Sequence, residues 1–255
     1  MLIEEFKSFL LIVQFMTRIP INIVLPCEDR NFKRASAYIP LIGMIVGASQ
    51  FIVYKIFYNY IPKEFLSVLM IITYICITGG FHIDGLGDTC DGFFAFKGGK
   101  DKIIDIMKDS RIGTYSCMAI IIDILLRYIS YEKIIGLNKG YIIILAPFMG
   151  RVALQILAYI GKAAKETGSG NFIINNISNR ELIIGFIILA LTSYSMNSLI
   201  PFLYQFALFF ISLIILLLFY GLCKNKIGGI TGDNLGAMNE IIELTALIFI
   251  LSLKI

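Results

Sequence analysis

Apolar residues run almost unbroken through seven stretches of this chain, separated by clusters of charge, glycine or proline. The stretches cover residues 35–57, 64–81, 112–130, 141–161, 181–196, 201–223 and 237–253. A helix rises about 1.5 Å per residue, so roughly 20 apolar residues cross a hydrocarbon core of about 30 Å. The pattern predicts an all-α, multi-pass transmembrane helical bundle of about seven spans. Residues 6–19 are also apolar, but they carry Arg18 and stop at Pro20. That segment is expected to be an N-terminal interfacial or re-entrant helix rather than a full crossing. No repeat or low-complexity linker divides the chain, so residues 1–255 are read as a single integral membrane domain.

Composition strengthens this picture. The chain is 58% hydrophobic and 16% charged, where a soluble domain carries about a quarter charged residues. Its mean hydropathy is +0.82. Glu4, Glu5 and Lys7 near the start do not resemble the basic opening of a secretory leader, and no cleaved signal is expected. The net charge of +4 fits basic loops on one membrane face rather than nucleic-acid binding. Lys7, Arg18, Arg30, Lys33 and Arg34 precede the first span; Lys97, Lys100, Lys102, Lys108 and Arg111 follow the second. Lys162, Lys165 and Arg180 follow the fourth, and Lys224 and Lys226 the sixth. The other face has Lys55, Lys63, Arg127, Lys133, Lys139 and Lys254. The N-terminus and the even-numbered loops are therefore expected on the cytoplasmic side of an inner membrane. That places residues 84–109 and 228–236 on the same face. The five cysteines form no paired motif and there is one histidine, His82, so a zinc site is not expected.

The densest polar signal is Asp84-Gly85-Leu86-Gly87-Asp88-Thr89-Cys90-Asp91-Gly92. Asp84, Asp88 and Asp91 are spaced i, i+4, i+7, one face of a helix. Like charges on one face repel unless a cation sits among them. Mg2+ takes carboxylate oxygens and keeps water or substrate phosphate at its other positions. Asp84, Asp88, Asp91 and Asp109 are the candidate metal ligands. Asp84, Asp88, Asp91 and His82 are the candidate catalytic residues. The bland alternative is a solvated acidic loop, against which stand the interleaved glycines and the adjoining spans.

A second motif is Gly228-Gly229-Ile230-Thr231-Gly232-Asp233-Asn234-Leu235-Gly236. It reads either as backbone amides facing a phosphate, with Asp233 adding a contact, or as a tight turn capped by Asp233. Arg18, Lys108, Arg111, Arg151 and Asp233 are the candidate substrate-binding residues. Arg151 lies within a span without a partner nearby in sequence, and a guanidinium grips phosphate bidentately. Lys108 and Arg111 also satisfy the charge asymmetry alone. Asp123 and Arg127, spaced i, i+4, are expected to pair, and Glu240 and Glu243 to face the bundle interior. Ser110 and Ser116 have no accompanying triad.

These motifs resemble the cobalamin synthases, also called adenosylcobinamide-GDP ribazoletransferases. The resemblance rests on residues 78–92 and on Ile106-Met107-Lys108-Asp109-Ser110-Arg111-Ile112-Gly113. It extends to Thr17-Arg18-Ile19-Pro20, Tyr38-Ile39-Pro40-Leu41-Ile42-Gly43 and Gly228-Gly229-Ile230-Thr231-Gly232-Asp233, in order along nearly the whole chain. Gly87 and Cys90 stand where the family more usually has alanine; both are small. The resemblance implies a magnesium-requiring membrane enzyme that joins adenosylcobinamide-GDP to alpha-ribazole or its 5′-phosphate and releases GMP. The expected partners are those substrates and the lipid bilayer, with no nucleic acid; a homo-oligomer is compatible with the sequence. In that setting Asp84, Asp88, Asp91 and Asp109 would hold one or two Mg2+ ions. Asp91 or His82 would take the hydroxyl proton, and Arg111, Arg151 or Lys108 would hold phosphate oxygens.

Two rivals fit parts of the pattern. A phosphatidyltransferase of the CDP-alcohol type also combines membrane helices with clustered aspartates. The arginine associated with that family's pattern after its second Asp-Gly is missing here. A cation transporter would also use intramembrane acids, but transport sites sit near the bilayer midplane, whereas residues 84–109 map to a span edge.

Overall fold

The apolar stretches fold as helices, with polar or glycine-containing turns between them. The computed structural model describes residues 2–95, 98–174 and 176–253. Lys97 and Lys254, both counted in the charge asymmetry, lie outside the described residues. The helices are α1 (Leu2–Met16), α2 (Asp29–Ala35), α3 (Ile39–Phe57), α4 (Lys63–Thr78), α5 (Phe81–Phe94), α6 (Lys100–Met107), α7 (Thr114–Gly136), α8 (Ile142–Ile160), α9 (Asn179–Met196), α10 (Phe202–Ile227) and α11 (Gly232–Ser252). Single 3-10 turns at Ser36–Tyr38 and Ser169–Phe172 complete the order. Among the described residues there is no strand, only one isolated bridge between Ala163 and Ile230.

Helix α8 is buried along most of its length and packs against α3 and α11. Helix α10 does the reverse. It shows Leu203, Phe206, Leu217 and Leu218 outward, as a helix facing lipid does. Among the described residues four helical stretches are long and apolar enough to cross a membrane: Asp29–Phe57, Ile142–Ile160, Phe202–Ile227 and Gly232–Ser252. Helices α4 and α5 make a fifth if counted as one bent span. Helices α7, which carries Asp123, Arg127, Glu132 and Lys133, and α9, which opens on Asn179, Arg180 and Glu181, are not in this set.

The stretch read as one span over 64–81 stops at Thr78. Gly79 (φ 66°, ψ 17°) and Gly80 (φ 71°, ψ 6°) are both left-handed, and α5 leaves at 88° to α4. A left-handed residue with a Cβ costs roughly 1–2 kcal/mol, so two in succession call for glycine. Helix α5, with 14 residues, is about 21 Å long and does not itself reach across. At the other end of the chain α11 starts at Gly232, earlier than expected. Thr231 caps it by accepting from the Asn234 amide, while the Asn234 side chain accepts from the Thr231 amide. The cap is thus Thr231 and not Asp233.

Candidate active site

The acidic face is built where α5 crosses the start of α11. Thr89 of α5 accepts from the Asn234 side-chain amide at 3.1 Å. Gly85 lets the two backbones close: a Cβ there would lie 2.8 Å from the Asp233 carbonyl oxygen. This crossing carries Asp233 to Asp84 and Asp88, which are one turn apart on α5. Asp84 is exposed, and Asp88 and Asp233 are half-buried. Burial and then the negative charges of Asp84, Asp233 and Asp91 push the Asp88 carboxyl up to about 7. Asp233 accepts from the Thr231 hydroxyl at 3.2 Å.

Asp91 points another way from the same helix. It is buried and accepts from the Gly113 amide at 2.7 Å and the Ser116 amide at 3.0 Å. Those amides open α7 and have no partner within their own helix, so Asp91 fastens α5 to α7. Asp109 accepts from the Nε and Nη2 groups of Arg111 at 3.0 and 2.6 Å, and from the Arg111 amide at 3.0 Å. Those bonds hold the Asp109 carboxyl down at about 2. Lys108 and Arg111 are exposed beside it. Arg18 is exposed too. Its amide donates to the Ile77 carbonyl at 2.7 Å and its side chain lies over Gly79, at the start of α5. Among the described residues the Arg18 guanidinium has no ion-pair partner.

Arg151 is not at this face. It is fully buried, and its guanidinium binds Glu243 of α11 and approaches His82 Nδ1 at 3.2 Å. The partner that local sequence did not supply therefore comes from a helix 92 residues away. Guanidinium groups only donate, so His82 Nδ1 accepts here and its proton sits on Nε2, which has no partner among the described residues. The expected Asp123–Arg127 pair is present at 2.9 Å, and Glu240 and Glu243 do face inward. Arg127 also binds Glu240, and Glu243 at 2.9 Å, and lies over the Tyr74 ring at 4.2 Å. The Tyr74 hydroxyl donates to Glu240 at 2.6 Å, and Asn239 donates to Glu243 at 2.8 Å. Two guanidiniums thus meet three carboxylates, all fully buried, in the centre of the bundle.

Lys165 escaped the sequence reading as a site residue, having counted only toward charge asymmetry. Its positive charge opposes the upward push of burial on the Asp88 and Asp233 carboxyls. The signal available was its place in a loop on the same face as the acidic motif.

Comparison with known proteins supports one assignment. The cobalamin-5-phosphate synthase family matches residues 8–251. An adenosylcobinamide-GDP ribazoletransferase of Clostridium tetani is 48% identical over 249 residues, covering 97% of this chain and 98% of the relative. Proteins of the same name from Clostridium kluyveri and Clostridium botulinum (strain Okra) are 45% and 44% identical, with at least 96% of each chain covered. No solved structure matches. The match runs through the α4–α5 elbow, the acidic helix and the Thr231 cap alike, and the chain belongs to the cobalamin-5-phosphate synthase family.

Proposed function

We propose that this chain is an adenosylcobinamide-GDP ribazoletransferase of the inner membrane. It joins adenosylcobinamide-GDP to alpha-ribazole or its 5′-phosphate and releases GMP. The observation that carries the reading is the meeting of Asp84 and Asp88 with Asp233 at the α5–α11 crossing. The names of the relatives supply the substrates. In this reading residues 1–255 form one integral membrane unit of about seven spans, including α7, whose Asp123 and Arg127 are buried, and α9, whose Glu181 is buried. Helix α1 lies in the interface, and α5 lies along the cytoplasmic face.

The residues fit a hard divalent cation. Negative charge crowds around Asp88, and two carboxylates from α5 and one from α11 share the face. Among the described residues no three acidic, histidine or cysteine side chains enclose a metal by themselves. Mg2+ takes much of its shell from water and substrate phosphate rather than from an all-protein cage. When bound, Mg2+ would neutralise charge on the diphosphate of the substrate. Asp84, Asp88 and Asp233 would hold it. Asp91 fixes the helix that carries two of them, and Asp109 orients Arg111 at the rim. Arg18, at the start of α5, offers its free guanidinium to a phosphate oxygen. Phosphoryl transfer asks chiefly for such positioning and charge neutralisation.

The test is GMP release by the purified protein in detergent, from adenosylcobinamide-GDP with alpha-ribazole and Mg2+. EDTA should abolish it. Asp84→Asn and Asp88→Asn should each lower turnover at least a hundredfold while membrane levels stay at wild type. Full turnover in EDTA, or in both variants, would overturn the reading; CMP release from CDP-linked lipids would point to the phosphatidyltransferase class.

A further inference from the structure

The elbow that starts α5 leaves the roll of that helix open. Gly79 and Gly80 join it to α4, and glycine accepts a wide range of backbone angles. Contacts along α5 must therefore set which of its sides faces α11. Its two halves are held differently. In the second half Thr89 accepts from the Asn234 side chain at 3.1 Å, and Asp91 accepts from the Gly113 and Ser116 amides. Over residues 81–88, one side chain among the described residues makes a hydrogen bond. It is His82, whose Nδ1 accepts from Arg151 Nη2 at 3.2 Å.

Arg151 is itself braced. Its other terminal nitrogen binds Glu243 of α11, and Glu243 also takes Arg127 at 2.9 Å and Asn239 at 2.8 Å. One guanidinium thus links α8, α11 and the first turn of α5, and Arg151, Glu243 and His82 are all buried. The His82 backbone rests on α11 as well: a Cβ on Gly236 would lie 3.1 Å from the His82 carbonyl oxygen. Successive residues turn by about 100° around a helix, so Asp84 points about 200° away from His82. Holding the imidazole inward therefore holds Asp84 outward, where it is exposed.

We propose that His82 is a positioning residue: its hydrogen bond to Arg151 sets the roll of α5, and so the places of Asp84 and Asp88 relative to Asp233. This rests on the cation reading above. The imidazole supplies one acceptor at the Nδ1 position and moves no proton of the substrate. Groups that orient metal ligands in this way are worth about 10–100-fold in metal affinity or activity.

The experiment compares wild type, His82→Leu, His82→Asn and His82→Gln in one detergent. Asn sets an amide oxygen near the Nδ1 position; Gln sets its own near Nε2. Mn2+ titration followed by electron paramagnetic resonance, without substrate, should show affinity about tenfold weaker or more in the Leu and Gln variants, and within about threefold of wild type in the Asn variant. GMP release gives a second split. The Mg2+ needed for half-maximal rate should rise in His82→Leu, while kcat of His82→Asn at saturating Mg2+ stays within about threefold of wild type. A kcat lost in the Asn variant as fully as in the Leu variant would mean that the imidazole handles a proton, and would overturn the proposal. Recovery by Gln in place of Asn, or wild-type Mn2+ affinity in all three variants, would overturn it too. Where His82→Leu does not fold, the comparison of Asn with Gln decides alone. If wild type neither binds Mn2+ nor releases GMP, the cation reading fails. Amide hydrogen exchange then tests the tether by itself: His82→Leu should exchange faster than wild type over residues 81–88, with residues 89–94 unchanged. Equal rates over 81–88 would refute it.

Discussion

Arg127 is the side chain whose removal should cost the bundle most. Its guanidinium serves Asp123, Glu240 and Glu243 together and covers the Tyr74 ring, with every participant fully buried. Arg127→Met keeps much of the apolar volume but leaves three carboxylates facing Arg151 alone. Removing one partner of a buried ion pair costs about 3–5 kcal/mol, and three partners are stranded at once. Asp123→Asn changes the balance in the opposite direction. Two guanidiniums then meet two carboxylates, and the amide oxygen can still accept from Arg127 Nε. Asp123 Oδ1 has no partner to lose, so the expected cost is about 1 kcal/mol. For a chain of this length 1 kcal/mol moves the melting temperature by about 2–4 °C. Thermal unfolding in one detergent should therefore show Arg127→Met lowered by roughly 6–20 °C and Asp123→Asn by a few degrees. Equal shifts, or a larger one for Asp123→Asn, would show that charge balance does not govern this centre.

Two further outcomes follow from the elbow and the acidic face. Gly79→Ala and Gly80→Ala both place a Cβ on a left-handed residue, at about 1–2 kcal/mol each. Only Gly79 has a neighbour in the way, Arg18 Nε at 2.4 Å from the added atom, whereas Gly80 has nothing within 4 Å. Gly79→Ala should thus melt lower and raise the KM for the GDP-linked substrate, while Gly80→Ala keeps its KM; matching kinetics in the two would remove Arg18 from the site. Asp88 sets the pH dependence of Mn2+ binding. Its carboxyl is pushed up to about 7, and a cation binds the ionised form. Affinity should be flat above that pH and fall as pH drops through it. The metal-free protein should lose stability as pH rises from the ordinary carboxylate range through 7, because ionised Asp88 is the disfavoured form in the fold. A pH-independent Mn2+ titration between 5 and 8 would exclude Asp88 as a ligand.

The helices and the acidic face were legible because both follow from local periodicity: apolar length gave α8 and α10, and i, i+4 spacing paired Asp84 with Asp88. What escaped was long-range or conformational. Arg151 looked free because its partners, Glu243 and His82, arrive from other helices. Asp91 shares the spacing of its neighbours, but its direction depends on where α7 begins. The Gly79–Gly80 elbow lies inside an apolar run, and hydropathy averages over it. Thr231 rather than Asp233 caps α11 because Asn234 completes a reciprocal pair that Asp233 is placed too early to make. The loop that carries Lys165 meets the start of α11 only through the pairing of two segments that are remote in sequence.

The buried charges also bear on how the protein is made. Arg127 meets Asp123 on its own helix, so α7 can enter a bilayer with its charge already matched. Arg151 has no acidic residue on α8, and its carboxylate, Glu243, is translated 92 residues later. At ordinary rates of synthesis that interval is on the order of ten seconds. Throughout it an unmatched guanidinium waits within an apolar helix, either held by the insertion machinery or drawn toward the interface. Helix α11, the last to be made, thus supplies the carboxylate that balances a charge buried in α8.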